Sequence, residues 1–441
     1  MNKFVSISIF TLSMPFAASA ALTFDGASLP VVEVRPAAST GLEMIYVINA
    51  AAGVRVSYTG GGTAWQSFGS SGGAYAEDLP ASGGTVTLSG GDTGIIVTSG
   101  GRQYCYWIVD YSRHELELRN LSAAPGESDC SRMALALDGR AEAIPFYTVT
   151  GRRDELGREL KMSYTTLAFD EDAFAYTTVE EEKILAGAGA LFGIEAPLCD
   201  TRFRLSGDRF LRAWKMERSV ESEMCATQAI AAETKAVQTE RSNDNEQSDN
   251  ADSGLGGSAP CEIEFSAAVS DGVVFREWQI SRSPDFEIPE NTFNEESFTY
   301  TFLENGTSYV RFVADNDAGT CGFTGTTYEI FIGESRLDIP NAFSPGASPG
   351  VNDEWKVSYK SLVEFECHIF NKWGIKMCSL TDPSQGWDGK YNGKVVPAGT
   401  YYYVIKAKGA DGKEYKKSGD INIINYSGGS ATGSGGEKDP E

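Results

Sequence analysis

Residues able to do covalent chemistry are sparse in this chain. Among 441 residues the only imidazoles are His114 and His368. A three-His metal site is therefore impossible, and any Ser–His or Cys–His nucleophile must draw on one of those two bases. Gly69-Ser-Ser71-Gly-Gly73 and Gly346-Ala-Ser348-Pro-Gly350 both spell G-x-S-x-G. A nucleophile elbow needs a strand before the serine and a helix after it. The first is a Gly-rich turn and the second a loop, so both read as turns. His114-Glu115 does not extend to H-E-x-x-H. Alternation over 113–119 puts His114 on the apolar side with Leu116 and Leu118, as an edge residue, whereas His368 shares the solvent side with Glu366. Carboxylate pairs such as Asp170 and Asp172 are abundant, and a glycosidase needs only one pair. The β units here are shorter than glycosidase catalytic domains usually are. Gly187 to Gly193 has the wrong spacing for a nucleotide fingerprint and no βαβ unit around it. The expectation is a non-enzyme with no cofactor, no catalytic residue and no metal; a polysaccharide-active enzyme ranks last among the alternatives.

The eight cysteines are Cys105, Cys130, Cys199, Cys225, Cys261, Cys321, Cys367 and Cys378. Sequence neighbours bracket single modules, so disulfides paired in order are the simplest connectivity. With no C-x-x-C and no nearby His, zinc is the weaker reading. For the last pair, a symmetric two- or four-residue loop centred on Lys372 and Trp373 sets Cys367 and Cys378 directly opposite. There Cβ atoms lie roughly 4.5–5.5 Å apart and can close to a bond.

The elements that position these residues are strands. Lys plus Arg is 37 against 61 Asp plus Glu, a formal charge of −24. Nucleic acid and anionic lipid demand a basic surface and are excluded as partners. At 41% hydrophobic the chain still has material for real cores, and 48 Gly point to short strands and tight turns. Residues 1–20 combine one Lys, an apolar run and Ala18-Ser19-Ala20, which reads as a signal peptide. No other run approaches the ~18 apolar residues of a membrane span.

Alternation over 31–35, 42–48, 54–58, 85–88, 95–98, 104–109 and 113–119 predicts an immunoglobulin-like sandwich at 21–125. A second β-rich domain follows at 126–238, in which 226–238 is a strand or a helix. Residues 239–260, TERSNDNEQSDNADSGLGGSAP, hold almost nothing apolar and read as a flexible acidic linker. Asp244, Glu246, Asp249 and Asp252 lack the spacing and closing Glu of a calcium loop. A third β module spans 261–335. Its Phe302-Leu-Glu-Asn-Gly-Thr-Ser-Tyr-Val-Arg-Phe-Val313 and Asn316-Asp-Ala-Gly319 resemble immunoglobulin-like PKD domains, which are mostly spacers and adhesion units. At 336 the composition changes: 1–335 carries 24 basic and 48 acidic residues, 336–425 carries 12 and 10. Residues 426–441 are a Gly/Ser-rich disordered tail. The fold class is all-β, several immunoglobulin-like antiparallel β-sandwiches in tandem with a flexible linker.

Within 336–425 five blocks stand in order. They are Ile339-Pro340-Asn341-Ala342-Phe343-Ser344-Pro345 and Val351-Asn352-Asp353-Glu354-Trp355, then Ile369-Phe370-Asn371-Lys372-Trp373-Gly374. Gly386-Trp387-Asp388-Gly389-Lys-Tyr-Asn-Gly393 and Val396-Pro397-Ala398-Gly399-Thr-Tyr401 follow. In order and spacing they resemble the C-terminal domain of gliding-motility-associated proteins, the type B sorting domain of type IX secretion. The resemblance implies a seven-stranded β-sandwich recognised by the outer-membrane translocon. The chain departs from the family in having Gly346–Gly350 where an N-G-D-G loop is usual. The function expected is a non-enzymatic modular protein, secreted across the inner and outer membranes to the cell surface or beyond. Its N-terminal sandwiches would serve adhesion or binding of an extracellular protein or glycan. An envelope signalling or secretion-assembly component is the alternative. Trp65, flanked by Gly60–Gly62 and Ser67–Gly73, is the candidate ligand contact in an exposed loop.

Overall fold

The computed structural model describes residues 21–61, 64–241, 243–248, 254–346, 350 and 352–424. The expected signal peptide, the tail and Ser348 lie outside the described residues. The chain divides into two compact units, 1–168 with 178–229, and 169–177 with 230–441.

In the first unit, Met44–Ile48 reads MIYVI and is buried at nearly every position. A run with no polar face belongs to a sheet covered on both sides. Its sheet is ordered Val32–Val34, Met44–Ile48, Arg102–Asp110, Thr93–Ser99, Ala64–Phe68, Glu77–Asp78. Tyr46, Ile48, Tyr106 and Ile108 pack against Val56 and Val86 of the three-stranded sheet Leu22–Asp25, Arg55–Tyr58, Thr85–Thr87. Ile45, Val47, Trp107 and Val109 join a second core with Leu121, Met133, Leu135 and Phe210. One core therefore runs across the expected division at 125/126. Glu117–Ala123, assigned above to the end of the first sandwich, pairs with Arg132–Arg140 instead. Alternation identifies a strand's apolar face but not the sheet that face meets. The strand expected from 113 begins only at Glu117, because Tyr111–Arg113 is a 3₁₀ turn capped by Asp110.

That shared core holds a buried ion pair. Arg158 Nη1 lies 2.7 Å from Asp208 Oδ2, with side chains 2% and 0% exposed. Tyr111 Oη donates to the same carboxylate at 3.0 Å. Arg158 also donates to the carbonyls of Glu142 and His114, both at 2.6 Å. Asp208 caps Arg209–Ala213 by accepting from the Phe210 and Leu211 amides. Buried charges survive only when paired and hydrogen-bonded, and these are.

In the second unit, Ala232–Gln238 pairs along its whole length with Cys261–Val269, which in turn pairs with Ser297–Phe302. It is a strand, and it opens the third β module rather than closing the second; the partner strand, not the local period, decides it. Facing this sheet is one ordered Gly256–Gly257, Tyr328–Ile332, Gly306–Asp315, Phe275–Ser281, Asn291–Phe293. Between them Trp278 is fully buried, 5.6 Å from the Phe265 ring and 5.1 Å from Phe312.

Described parts of the expected linker pair with strands. Gly256–Gly257 runs parallel to Phe331 and Ile332, and residues 243–248 hydrogen-bond to the 357–359 backbone. Composition counts apolar surface, but here carboxamides bind backbone groups directly.

Candidate functional site

The C-terminal module holds the blocks singled out above. Its main sheet is ordered Ala342–Phe343, Glu414–Ile423, Gly399–Gly409, Leu362–Phe370, Lys376–Leu380, and a second ladder pairs Arg336–Asp338 with Ser358–Lys360. Phe365, Cys367 and Ile369 face the core, as alternation requires.

The motif aromatics build that core. Trp355 is 0% exposed and donates Nε1–H to the Pro340 carbonyl at 2.7 Å. It exchanges backbone hydrogen bonds with Trp387, whose ring lies 5.6 Å from Phe343 and 5.2 Å from Tyr401. Trp387 Nε1–H reaches the Lys390 carbonyl, and Tyr401 Oη–H reaches the Pro397 carbonyl, both at 3.0 Å. Each of these polar edges thus finds a carbonyl of the motif, Trp387 and Tyr401 within their own blocks and Trp355 in the block before it.

The polar motif residues shape turns. Asp353 accepts from the Gly346 and Gly350 amides at 2.9 and 2.6 Å, and Asn352 is left-handed at φ 55. Asn371 Oδ1 accepts from the Trp373 and Ile375 amides, both at 3.0 Å, and Gly374 takes φ 78. Asp388 accepts from the Lys390 amide and ammonium, and the lysine contact first of all holds its carboxyl below the usual aspartate value. Gly389 sits at φ 72, and a Cβ there would stand 3.2 Å from Pro345 Cγ and 3.3 Å from Phe343 Cζ. Gly393 and Gly399 also take positive φ.

Trp373 is the exception among the motif aromatics. It is 74% exposed with Lys372 Nζ over its ring at 4.5 Å. With Ile375, Met377, Tyr391, Val396 and Pro397 it lines an open cleft of about 450 Å³. Ile375, Met377 and Tyr391 were not among the expected site residues. The available signals were the apolar character of Ile375 and Met377 just after the Trp373 turn and the place of Tyr391 within the Gly386–Gly393 block.

Several expectations fail. Trp65 is not in an exposed loop: it lies in Ala64–Phe68 and is 3% exposed, because the Gly-rich segments flank a strand rather than contain it. In-order disulfide pairing also fails. Cys105, Cys225, Cys261, Cys367 and Cys378 are free thiols, Cys199 Sγ donates to the Thr165 carbonyl, and Cys130 and Cys321 are disulfide-bonded. Cys367 lies opposite Leu380 and Cys378 opposite Ile369, because an irregularity at Ile369/Phe370 and the Asn371–Ile375 turn shift the register. Burial, then the neighbouring Cys378, pushes the Cys367 thiol up to about 12.

His114 Nε2 lies 2.6 Å from Asp92 Oδ2, and Asp92 also accepts from the Asp110 amide, so this dyad orders a loop. His368 contacts Glu366 and Ser379 on the outer face. Ser71 is exposed in its turn, and Asp170 accepts from the Asp172 and Ala173 amides within a hairpin turn. Among the described residues no group of three or more His, Cys, Asp and Glu could hold a metal, and no helix is long and apolar enough to cross a membrane.

Comparison with known proteins bears on two of these regions. Residues 337–423 match the CHU_C type IX secretion signal domain, and residues 122–222 match a fibronectin type III domain. No curated protein matches the chain. Among solved structures, a tetra-tandem repeat in the extending region of a large adhesion protein is 12% identical, covering 92% of this chain and 100% of that one at TM-score 0.21. Dimeric latent PorU from Porphyromonas gingivalis is 12% identical, covering 73% and 35% at TM-score 0.15. Fibronectin(III)-like modules of Clostridium thermocellum CbhA are 13% identical, covering 40% and 93% at TM-score 0.17. Overlays this loose carry no argument about the chain. Both matched domains are non-catalytic kinds, and the signal implies export to the cell surface or extracellular space. This all-β chain thus carries a fibronectin type III domain at residues 122–222 and a type IX secretion signal domain at residues 337–423.

Proposed function

We propose that this chain is a non-enzymatic modular protein, carried outward by the type IX secretion translocon, whose N-terminal sandwiches bind an extracellular protein or glycan. The observation that carries this reading is the match of residues 337–423 to a secretion signal. In support, the blocks quoted from that region pack into one module whose aromatics share a core. Residues 1–20 supply passage across the inner membrane in this reading, and the C-terminal module supplies the second crossing. His114 engaged by Asp92 and Asp170 engaged in a turn support display over catalysis. The acidic excess, 48 against 24 in residues 1–335, suits neutral or cationic partners and disfavours polyanions.

A passenger fused ahead of residues 240–424, behind a signal peptide, tests the export half in a type IX-competent cell. It should become accessible to protease on intact cells; retention in the periplasm at the level of an unfused passenger contradicts the reading. Capture by the purified chain on glycan and envelope-protein arrays tests the binding half, and silence on both arrays contradicts it.

A further inference from the structure

The second unit contains a segment that behaves as a bound peptide. Residues 243–248 lie beside Ser358–Lys360, on the edge opposite its pairing with Arg336–Asp338. Glu246 and Tyr359 form a parallel bridge: the Gln247 amide donates to the Tyr359 carbonyl at 2.7 Å, and the Tyr359 amide donates to the Asn245 carbonyl at 3.0 Å. That is the hydrogen-bond pattern of strand addition.

Side chains give the contact its selectivity. Asn245 Nδ2 donates to the Val357 and Pro383 carbonyls at 2.7 and 2.8 Å, and Gln247 Nε2 donates to Ser358 Oγ at 2.7 Å. Between these carboxamides the Glu246 carboxylate is 7% exposed and accepts from Arg241, Ser258, Asn243 and Tyr359 Oη. Burial, then the Glu246 charge, raises the Tyr359 hydroxyl above its ordinary range. Lys356 pairs with Asp244 at 3.3 Å. Downstream, Ser258 Oγ accepts from the Ser361 amide at 2.8 Å.

We propose that the Ser358–Lys360 edge of the secretion-signal module is a strand-addition site for an extended peptide with carboxamides two residues apart around a carboxylate, and that residues 243–248 are its resident occupant, bound in cis. An edge strand left bare offers unpaired amides and carbonyls to any extended chain. The occupant fills that edge, and a partner segment of the same chemistry reaches it only by displacing 243–248.

The test uses the full chain and a synthetic peptide with the sequence of residues 240–248, read by hydrogen exchange. In the full chain carrying Asn245→Ala and Gln247→Pro, the Tyr359 amide should exchange roughly tenfold or more faster, while 399–409 and 414–423 keep their protection. Adding the peptide should restore Tyr359 protection saturably in this variant and leave the parent chain unchanged; a peptide carrying the same two substitutions should not rescue. Unchanged Tyr359 exchange in the variant, failure of the peptide to restore it, or equal binding of both peptides overturns the proposal. Should the double variant also lose protection at 399–409, Asn245→Ala alone decides by the same readouts.

Discussion

The first unit and the C-terminal module both bury tryptophans between sheets, yet they are held together by different means. The first unit holds a buried long-range polar lock: Arg158 and Asp208, fifty residues apart, meet Tyr111 in a core contributed by both halves of the unit. The motif blocks of the C-terminal module are tied over shorter spans. Trp387 and Tyr401 bond to carbonyls three and four residues away in their own blocks, Trp355 bonds to the Pro340 carbonyl one block earlier, and Asn371 and Asp388 close short turns. The difference teaches where damage spreads. Cutting the lock leaves a charge stranded in a shared core; breaking a turn disturbs one hairpin.

The largest effect should therefore come from Arg158→Ala. It strands Asp208 in a fully buried site and should cost about 3–5 kcal/mol, read by denaturant unfolding with hydrogen exchange at 132–140. Arg158→Met with Asp208→Leu, which removes both charges, should recover much of that loss. A cost under about 1 kcal/mol for the single change, the range of an exposed pair, would erase the contrast between the two regions.

Gly389→Ala comes next. It asks a Cβ to take φ 72 within 3.2–3.3 Å of Pro345 and Phe343. The expected cost is about 1–3 kcal/mol, confined to the C-terminal module. Loss of protection at 132–140 in this variant would contradict local closure.

Smaller again is Asn371→Ala, which removes the acceptor of two turn amides and should cost about 1 kcal/mol. Trp373→Ala, two residues on in the same block but exposed, should stay within about 0.5 kcal/mol by thermal unfolding. If Trp373→Ala is the more damaging, the division between shaping and exposed motif residues is wrong.

The mildest test is acid. Burial alone would raise the Asp110 carboxyl, but hydrogen bonds from Ser112, Gly91 and Ala51 outweigh it, and the net shift is downward. A depressed carboxyl contributes stability that is present above the ordinary value of 3.8 and is lost as pH falls through the lower folded value. Stability of the first unit should decline in that window, and Asp110→Asn should flatten the decline. An unchanged profile in the variant would assign the acid sensitivity elsewhere.

What the sequence made legible follows the same contrast. The C-terminal module could be read because many of its determinants are contiguous: Trp387 and Asp388 both bond to Lys390 within one block. The joint in the first unit could not, since nothing near Arg158 announces Asp208 and alternation over 113–119 does not say which sheet receives Leu121. The contacts of residues 243–248 escaped notice because they run through the carboxamides of Asn245 and Gln247, which composition counts as solvated. The Cys367–Cys378 pairing failed on register alone, which depended on how Asn371 folds its turn. Trp65 failed because glycines on either side of a strand look like glycines within a loop.

The most direct test of the account's central claim is where the chain goes when residues 336–441 are removed. Full-length and truncated proteins are followed by protease treatment of intact type IX-competent cells alongside periplasmic fractions. The account predicts that the truncated chain accumulates in the periplasm, intact and protected, while the full chain is digested at the surface or found in the medium. Truncated chain outside intact cells at the full-length level would contradict it.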